Sequence, residues 1–146
     1  MPSYPRYFYR VYDEYSVSQF DGDDGFEAQG AGLFSPRANW AKFVVARHMD
    51  WSNRTPSPFI SVTDSREKAN EYASQREDRG REDVHIAQIK VKVLRDAGVR
   101  FWHMQTLAMT VGAEDMIQAF SWNEYEWLCL HNIPAEAVVA VWSDWA

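Results

Sequence analysis

Short runs of apolar and β-branched residues, separated by polar and glycine-rich segments, predict the strands of this chain. The run 84–94 alternates clearly at its end, where Lys90 and Lys92 lie between apolar residues. Its first residues have the opposite parity, so this strand is either buried on both faces at its start or bulged near 87–88. The same criteria predict strands at 7–12, 58–63, 84–94, 124–130 and 135–142.

Apolar residues at helical spacing predict two helices. The first covers 36–49, where Ser35 can cap the helix and a proline suits its first turn. The second follows the strand 58–63, because Asp64 and Glu67 form a capping-box pattern, and it ends near Gly80. The segment 114–119 suggests a helical turn.

Three further segments carry no assigned chemistry. The glycine- and aspartate-rich stretch 21–32 predicts a loop. The charged run 76–83 (REDRGRED) is interpreted as a solvated turn. The stretch 101–112 is apolar without a clear period, and its secondary structure stays open.

Length, charge and composition narrow the class of protein. A chain of 146 residues can bury its own core, which predicts a single domain over residues 1–146. The 15 basic and 21 acidic residues give a net charge of −6, which argues against nucleic-acid binding. With neither a leader pattern nor a membrane-spanning run, we expect a cytoplasmic protein, or a domain of a longer secreted or translocated effector. One Cys and four His without zinc-ligand spacing predict no metal site, and the oligomeric state stays open.

Side chains that could carry chemistry occur on three of the predicted strands. Arg10 lies in the first, Ser61 and Thr63 lie in the second, and Glu124 and Glu126 begin the fourth. Because residues i and i+2 of a strand share a face roughly 6.6 Å apart, the two hydroxyls point the same way, and so do the two carboxylates.

Each of these features also has an ordinary structural interpretation. Glutamate pairs are common on exposed strand faces, although like charges side by side on an otherwise apolar strand reduce stability. A strand arginine more often forms a surface ion pair than a ligand contact. Taken singly, the residues therefore leave the function open.

In combination, the chain resembles the catalytic domain of mono-ADP-ribosyltransferases of the Arg–Ser–Glu class, which includes the cholera toxin and heat-labile enterotoxin catalytic subunits and related fungal domains. The aromatic–Arg pair, the serine motif and the Glu-x-Glu motif of that class correspond to residues 9–10 (YR), 59–63 (FISVT) and 124–126 (EYE). The Ile-Pro of the following loop is found at 133–134. Val62 stands where threonine is usual, and the first loop is shorter and more acidic than in the toxins.

The resemblance implies an α+β fold, a split β-sandwich with flanking helices, that binds NAD as a substrate in a cleft between two small sheets. It implies that nicotinamide leaves its ribose through an oxocarbenium-like transition state, which Glu126 stabilises through the ribose 2′-hydroxyl. Ser61 would position Glu126, and Thr63 would support the cleft strand. Arg10 would clamp the ribose or diphosphate with its forked donors.

The acceptor is implied in the same way. In this family, glutamate at the position of Glu124 goes with arginine as the target, because the attacking guanidinium must share or lose a proton. We therefore expect an arginine-specific enzyme with a protein acceptor. In the recognition turn before this residue, Phe120 and Trp122 would touch the target, or else they pack under the sheet. His48 falls where related toxins carry a histidine, although a surface or helix-end position is favoured.

Two other functions compete with this expectation. An NAD glycohydrolase would use the same site with water as its acceptor and would need no recognition turn. A catalytically silent module would keep the fold for an interaction, although the intact set of motif residues argues against it. A transferase acting on nucleic acid is disfavoured by the net charge of −6 and by Glu124.

Overall fold

A computed structural model describes residues 4–30, 32–50 and 56–144. The strands β1 to β8 are Tyr7–Tyr12, Phe26–Glu27, Phe59–Thr63, His85–Lys90, Phe101–His103, Glu126–Leu130, Asn132–Ile133 and Val138–Trp142. The helices α1 to α4 are Ala41–Met49, Arg66–Asp78, Val91–Asp96 and Met104–Val111, with 3₁₀ turns at Glu114–Met116, Ala119–Ser121 and Ala135–Ala137. The predicted α+β class is confirmed. Within these ranges, none of the helices has the length and apolarity needed to cross a membrane.

The main sheet has six antiparallel strands in the order β5-β6-β3-β1-β4-β8, and β2 pairs with β7 in a separate ribbon. The centre of the main sheet is weakly joined. Among the described residues, β1 and β3 pair only at Tyr9 and Thr63, whereas β1 pairs with β4 at six positions and β3 with β6 at five. The sheet therefore consists of two halves, β5-β6-β3 and β1-β4-β8, which separate beyond that pair.

Alternation along β3 divides its side chains between two cores. Ile60 and Val62 belong to the cluster on the face covered by α3 and the ribbon. Phe59 belongs to the cluster on the opposite face, together with residues of α1 and α4. Ser61 and Thr63 have the parity of Phe59 and therefore lie on the α1/α4 face. Helix α2 covers the neighbouring half of this same face through small buried residues, and the candidate site lies between α1 and α2.

The predicted strand 84–94 is only partly correct, because it ends at Lys90 and continues as helix α3. Lys90 pairs with Tyr7, the first residue of β1, so the following residues have no strand opposite them on that side. Val91 and Leu94 are both buried, and their spacing of three places them on one side of a helical turn. A register shift against β8 at Gln88/Ile89 confirms the predicted irregularity near 87–88.

Both predicted helices start later than the sequence pattern indicates. Helix α1 begins at Ala41, because Ser35 caps an isolated turn by accepting a hydrogen bond from the Arg37 amide at 3.3 Å. Helix α2 is capped by Ser65, not Asp64: the Ser65 hydroxyl accepts from the Lys68 amide at 3.1 Å. The Asp64 carboxylate instead accepts from the indole of Trp127 at 3.0 Å, and it thereby ties β3 to β6.

The remaining segments also differ from the patterns in detail. The open stretch 101–112 forms β5 and then α4, which ends at Gly112 in the left-handed conformation (φ 80°). The segment 135–142 begins with a 3₁₀ turn before β8. Strand β6 begins at Glu126, so Glu124 lies in the preceding turn and not on the predicted strand 124–130.

Candidate functional site

A cleft of about 530 Å³ opens where the two halves of the sheet separate. Its wall contains Arg10 from β1, Ser61 and Thr63 from β3 and Glu126 from β6, together with the exposed Phe120. Known ligand pockets have volumes of about 300–1,000 Å³, so the cleft is large enough for a small-molecule ligand. The structure thus brings together side chains that are more than a hundred positions apart in the chain.

Glu126 is held by hydrogen bonds to both of its carboxylate oxygens. The Ser61 hydroxyl donates to Oε2 at 2.8 Å, and the Asn123 amide donates to Oε1 at 3.4 Å. Thr63 lies directly opposite Glu126 in the β3–β6 register, which fixes the strand that carries Ser61. Burial raises the pKa of Glu126 to about 7, and the two hydrogen bonds oppose that rise. Near neutral pH, this carboxyl group therefore exchanges a proton easily.

His48 connects Ser61 to a second serine. Its Nε2 lies 2.7 Å from the Ser61 hydroxyl, and its Nδ1 lies 2.6 Å from the Ser57 hydroxyl. Ser61 gives its only proton to the ionised Glu126 carboxylate, so Nε2 donates to Ser61, and in a neutral ring Nδ1 then accepts from Ser57. The Ser57 oxygen also accepts from the Phe59 amide at 3.1 Å. The chain of hydrogen bonds therefore holds one neutral tautomer of the imidazole.

His48 lies in the last turn of α1, as the helix-end interpretation predicts, but its ring packs against Ser57 and Ser61 and does not lie at the surface. Burial, and then the nearby Arg10, lower the pKa of His48 to about 4. The ring is therefore neutral at physiological pH. Spacing along the chain does not connect this histidine to Ser61, because the two residues meet only when α1 packs on β3.

Arg10 spans the gap between the two halves of the sheet. Its guanidinium donates to the carbonyl oxygens of Ser61 at 3.0 Å and Ser18 at 3.1 Å, and it lies 5.2 Å from the ring centre of Phe26. Its Nε has no hydrogen-bond partner among the described residues. Burial and then the positive charge of Arg76 lower the Arg10 pKa to about 10, so the group stays protonated at neutral pH. Two of its donors thus hold the backbone, which leaves fewer for a ligand.

The other predicted site residues lie at the edge of the described cleft wall or outside it. Glu124 is exposed in the turn before β6, and it lies outside the described part of the cleft wall. Its carboxylate hydrogen bonds to the hydroxyl of Tyr125, and this bond is the main reason that the pKa of Tyr125 is raised. Trp122 is partly buried and packs against the α1/α4 cluster. Phe120, 64% exposed, is therefore the member of the predicted recognition pair that borders the cleft.

Some residues of the cleft wall were not singled out from the sequence. Tyr72, Gln75 and Arg76 of α2 line it, as does Asn123. The spacing of three and four residues from Tyr72 to Gln75 and Arg76 places these side chains on one helix face, which is the available signal in the sequence. The charged run at the end of α2 instead favours a solvated turn. Cys129 is fully buried, and burial raises the pKa of its thiol to about 12. Among the described residues, no group of three or more His, Cys, Asp or Glu could hold a metal ion.

Comparison with known proteins places the chain in a family. A model described as "Domain of unknown function (DUF7587)" matches residues 3–144, and the chain belongs to that family. No curated protein matches the chain. Among solved structures, the chain is similar to EcPltA, with 17% sequence identity and a TM-score of 0.48 over 94% of this chain and 74% of that chain. PltA is an ADP-ribosyltransferase subunit of typhoid toxin.

Proposed function

We propose that this protein is an NAD-dependent mono-ADP-ribosyltransferase that cleaves the bond between nicotinamide and ribose and transfers ADP-ribose to an acceptor, arginine on a protein. One observation carries the proposal. A serine hydroxyl from β3 holds a carboxylate from β6 inside a cleft whose other side carries a buried arginine from β1. The separation of the sheet into two halves at this cleft supports the split β-sandwich expected from the sequence motifs.

Each residue of this group has a role that its contacts support. The Glu126 carboxylate would accept a hydrogen bond from the ribose and stabilise the positive charge that develops as nicotinamide leaves. Ser61 keeps one oxygen of Glu126 fixed, which leaves the other to face the ligand beside a weak contact with Asn123. Arg10 holds the Ser61 backbone, and its positive charge at the cleft wall favours a ligand that carries phosphate. Thr63 is 5% exposed and supports the strand.

The direct test measures free nicotinamide by chromatography after the purified protein is incubated with NAD, with and without a guanidino compound as acceptor. We expect release by the wild type and a loss of at least about a hundredfold in Glu126→Gln, the size typical of electrostatic contacts in the transition state. Glu67→Gln is the matched control, because Glu67 is exposed on α2 outside the described wall. Equal rates in Glu126→Gln and the wild type, with circular dichroism unchanged, would refute these roles.

A second function, NAD glycohydrolase, is favoured by the position of Glu124. This carboxylate lies outside the described cleft wall, and the Tyr125 hydroxyl that hydrogen bonds to it competes with an acceptor for its oxygens. Glu124→Gln distinguishes the two reactions. A transferase would lose transfer to the guanidino compound while still releasing nicotinamide in water, whereas a glycohydrolase would show no effect of either the acceptor or the substitution.

A further inference from the structure

The cleft is positively charged, although the protein is acidic. The described part of the wall contains four arginines and two acidic residues, a formal charge of +2 with His48 neutral, whereas the whole chain carries −6. The arginines are Arg10, Arg76, Arg79 and Arg81, and the acidic residues are Asp13 and Glu126. A cleft that concentrates positive charge attracts an anionic ligand from solution.

Two of these four arginines are already committed to the protein. Arg10 holds backbone carbonyl groups, and Arg76 forms an ion pair with the buried Asp13 at 3.0 Å. Arg79 and Arg81 are exposed, and neither forms an ion pair with any residue that the structure describes. The acidic residues beside them in sequence do not line the described wall; these are Glu77, Asp78, Glu82 and Asp83. Arg79 and Arg81 are therefore the cations available to a ligand.

The end of helix α2 fixes the backbone of these two arginines. Gly80 adopts the left-handed conformation (φ 83°), and its amide donates to the Glu77 carbonyl at 2.9 Å. The Arg81 amide donates to the Arg76 carbonyl at 3.0 Å, which completes a Schellman motif. The motif reverses the chain after α2, so that Arg79 and Arg81 both border the cleft.

An aromatic ring lies beside this pair. Tyr15 is 70% exposed, and the Arg81 guanidinium lies 4.6 Å from its ring centre. The backbone of Tyr15 is held because its amide donates to the Asp13 carboxylate at 2.8 Å, and Arg76 anchors the same carboxylate. Two guanidinium groups and an exposed aromatic ring in one cleft wall match a nucleotide, in which phosphate and a base occur together.

We propose that Arg79, Arg81 and Tyr15 form a phosphate-binding subsite of the cleft that takes the phosphate groups of a nucleotide. The subsite is part of the same cleft as the proposed NAD site, and the choice of nucleotide rests on the proposed function. Two sources of phosphate fit the same chemistry: the diphosphate that joins the two halves of a dinucleotide, and a ribose 2′-phosphate. Arg76 positions the segment that carries Tyr15, because its ion pair holds Asp13, and the Asp13 carboxylate accepts from the Tyr15 amide.

The test measures the binding of adenosine, ADP and 2′-AMP to the full chain by calorimetry. The variants are Arg79→Ala/Arg81→Ala and the control Arg66→Ala/Arg95→Ala. The control removes the same charge from exposed arginines that lie outside the described cleft wall. Arg95 also matches Arg81 in having an aromatic contact, because it lies 4.7 Å from the ring centre of Tyr4.

We expect a phosphate-bearing ligand to bind the wild type more tightly than adenosine, and the Arg79/Arg81 variant to lose that advantage by at least about tenfold, the loss expected when charge-assisted hydrogen bonds are removed. A loss for ADP alone assigns the diphosphate as the source, and a loss for 2′-AMP alone assigns the ribose phosphate. Unchanged affinity, an equal loss in the control, or no preference of the wild type for phosphate would overturn the subsite. Glu126→Gln separates the two proposals, because it should abolish NAD cleavage without weakening ADP binding.

Discussion

Replacement of Ser61 by alanine probes the hydrogen bond that the structure places on Glu126. The Ser61 hydroxyl donates to the Glu126 carboxylate at 2.8 Å, and this bond lowers a pKa that burial has already raised to about 7. Hydrogen bonds to a charged group contribute about 1.5–3 kcal/mol, and about 1.4 kcal/mol corresponds to one pH unit. Ser61→Ala should therefore raise the pKa of Glu126 to about 8–9.

The measurement is a pH titration of the side-chain carboxyl carbon of Glu126 by carbon-13 NMR, which does not depend on activity. If the protein cleaves NAD, the acid limb of its pH–rate profile should move up with the pKa, because the ionised carboxylate is the active form. Near pH 7, the variant would then hold about a tenth or less of its Glu126 in that form.

Ser57→Ala provides the matched control. It removes a hydroxyl that is bound to the other side of the His48 ring and does not touch Glu126. Its Glu126 pKa should stay close to the wild-type value. If the two variants titrate alike, or if Ser61→Ala leaves the pKa near 7, the proposed coupling between Ser61 and Glu126 is wrong.

Three further predictions concern stability. The folded-state pKa of Glu126, about 7, lies above the usual 4.5, so the contribution of its protonated form to folding stability is full below about pH 4.5 and is lost as pH rises through 7. Glu126→Gln should therefore raise the melting temperature at pH 8 relative to the wild type, but not at pH 4. The pKa of His48 is lowered to about 4 from 6.5, so the contribution of His48 to stability should rise between those pH values, opposite in sign to that of Glu126, and a calorimetric pH series of His48→Gln should lack this rise. In urea titrations, Gly25→Ala should lower the free energy of unfolding by more than about 2 kcal/mol. The reason is that φ is +76° at Gly25 and an added Cβ would lie 2.0 Å from the Ile133 carbonyl oxygen. The control Gly22→Ala, whose Cβ would meet nothing within 4 Å, should change the free energy of unfolding little.

Local patterns were sufficient where one segment determines its own structure. The strand Tyr7–Tyr12 and most of the strand 58–63 follow from β-branched and aromatic composition, and helix α2 follows from its capping signal and its apolar stripe. The cap itself moved from Asp64 to Ser65, because Trp127 supplies a hydrogen-bond donor for the Asp64 carboxylate. That partner is 63 residues away, and spacing along the chain does not reveal it.

The misplaced ends of elements have a similar cause. Alternation in 84–94 fits a strand, but pairing stops where the neighbouring strand β1 begins, at Tyr7. The Glu-x-Glu spacing fits one strand face, but the Asn123 side chain accepts from the Tyr125 amide at 3.1 Å and forms a turn before β6. Glu124 consequently lies in that turn and is not part of the described cleft wall that contains Glu126.

The residues around Glu126 also show that spacing along the chain does not reveal contacts between distant segments. Arg10, Ser61 and Glu126 were selected as a group through a family resemblance, and the structure places all three at one cleft. The sequence predicts a surface or helix-end position for His48, because its contacts with Ser57 and Ser61 arise only from the packing of α1 on β3. The phosphate-binding arginines were missed because charge runs are usually solvated, and only the turn at Gly80 directs them to the cleft.

The most direct test of the central claim is a crystal structure of Glu126→Gln grown with NAD, since the substitution keeps the shape of the side chain and slows cleavage. The account predicts density for the nicotinamide ribose beside residue 126 and Ser61, with the phosphates toward Arg79 and Arg81. Nicotinamide ribose bound outside this cleft, or an empty cleft at saturating NAD, would contradict it.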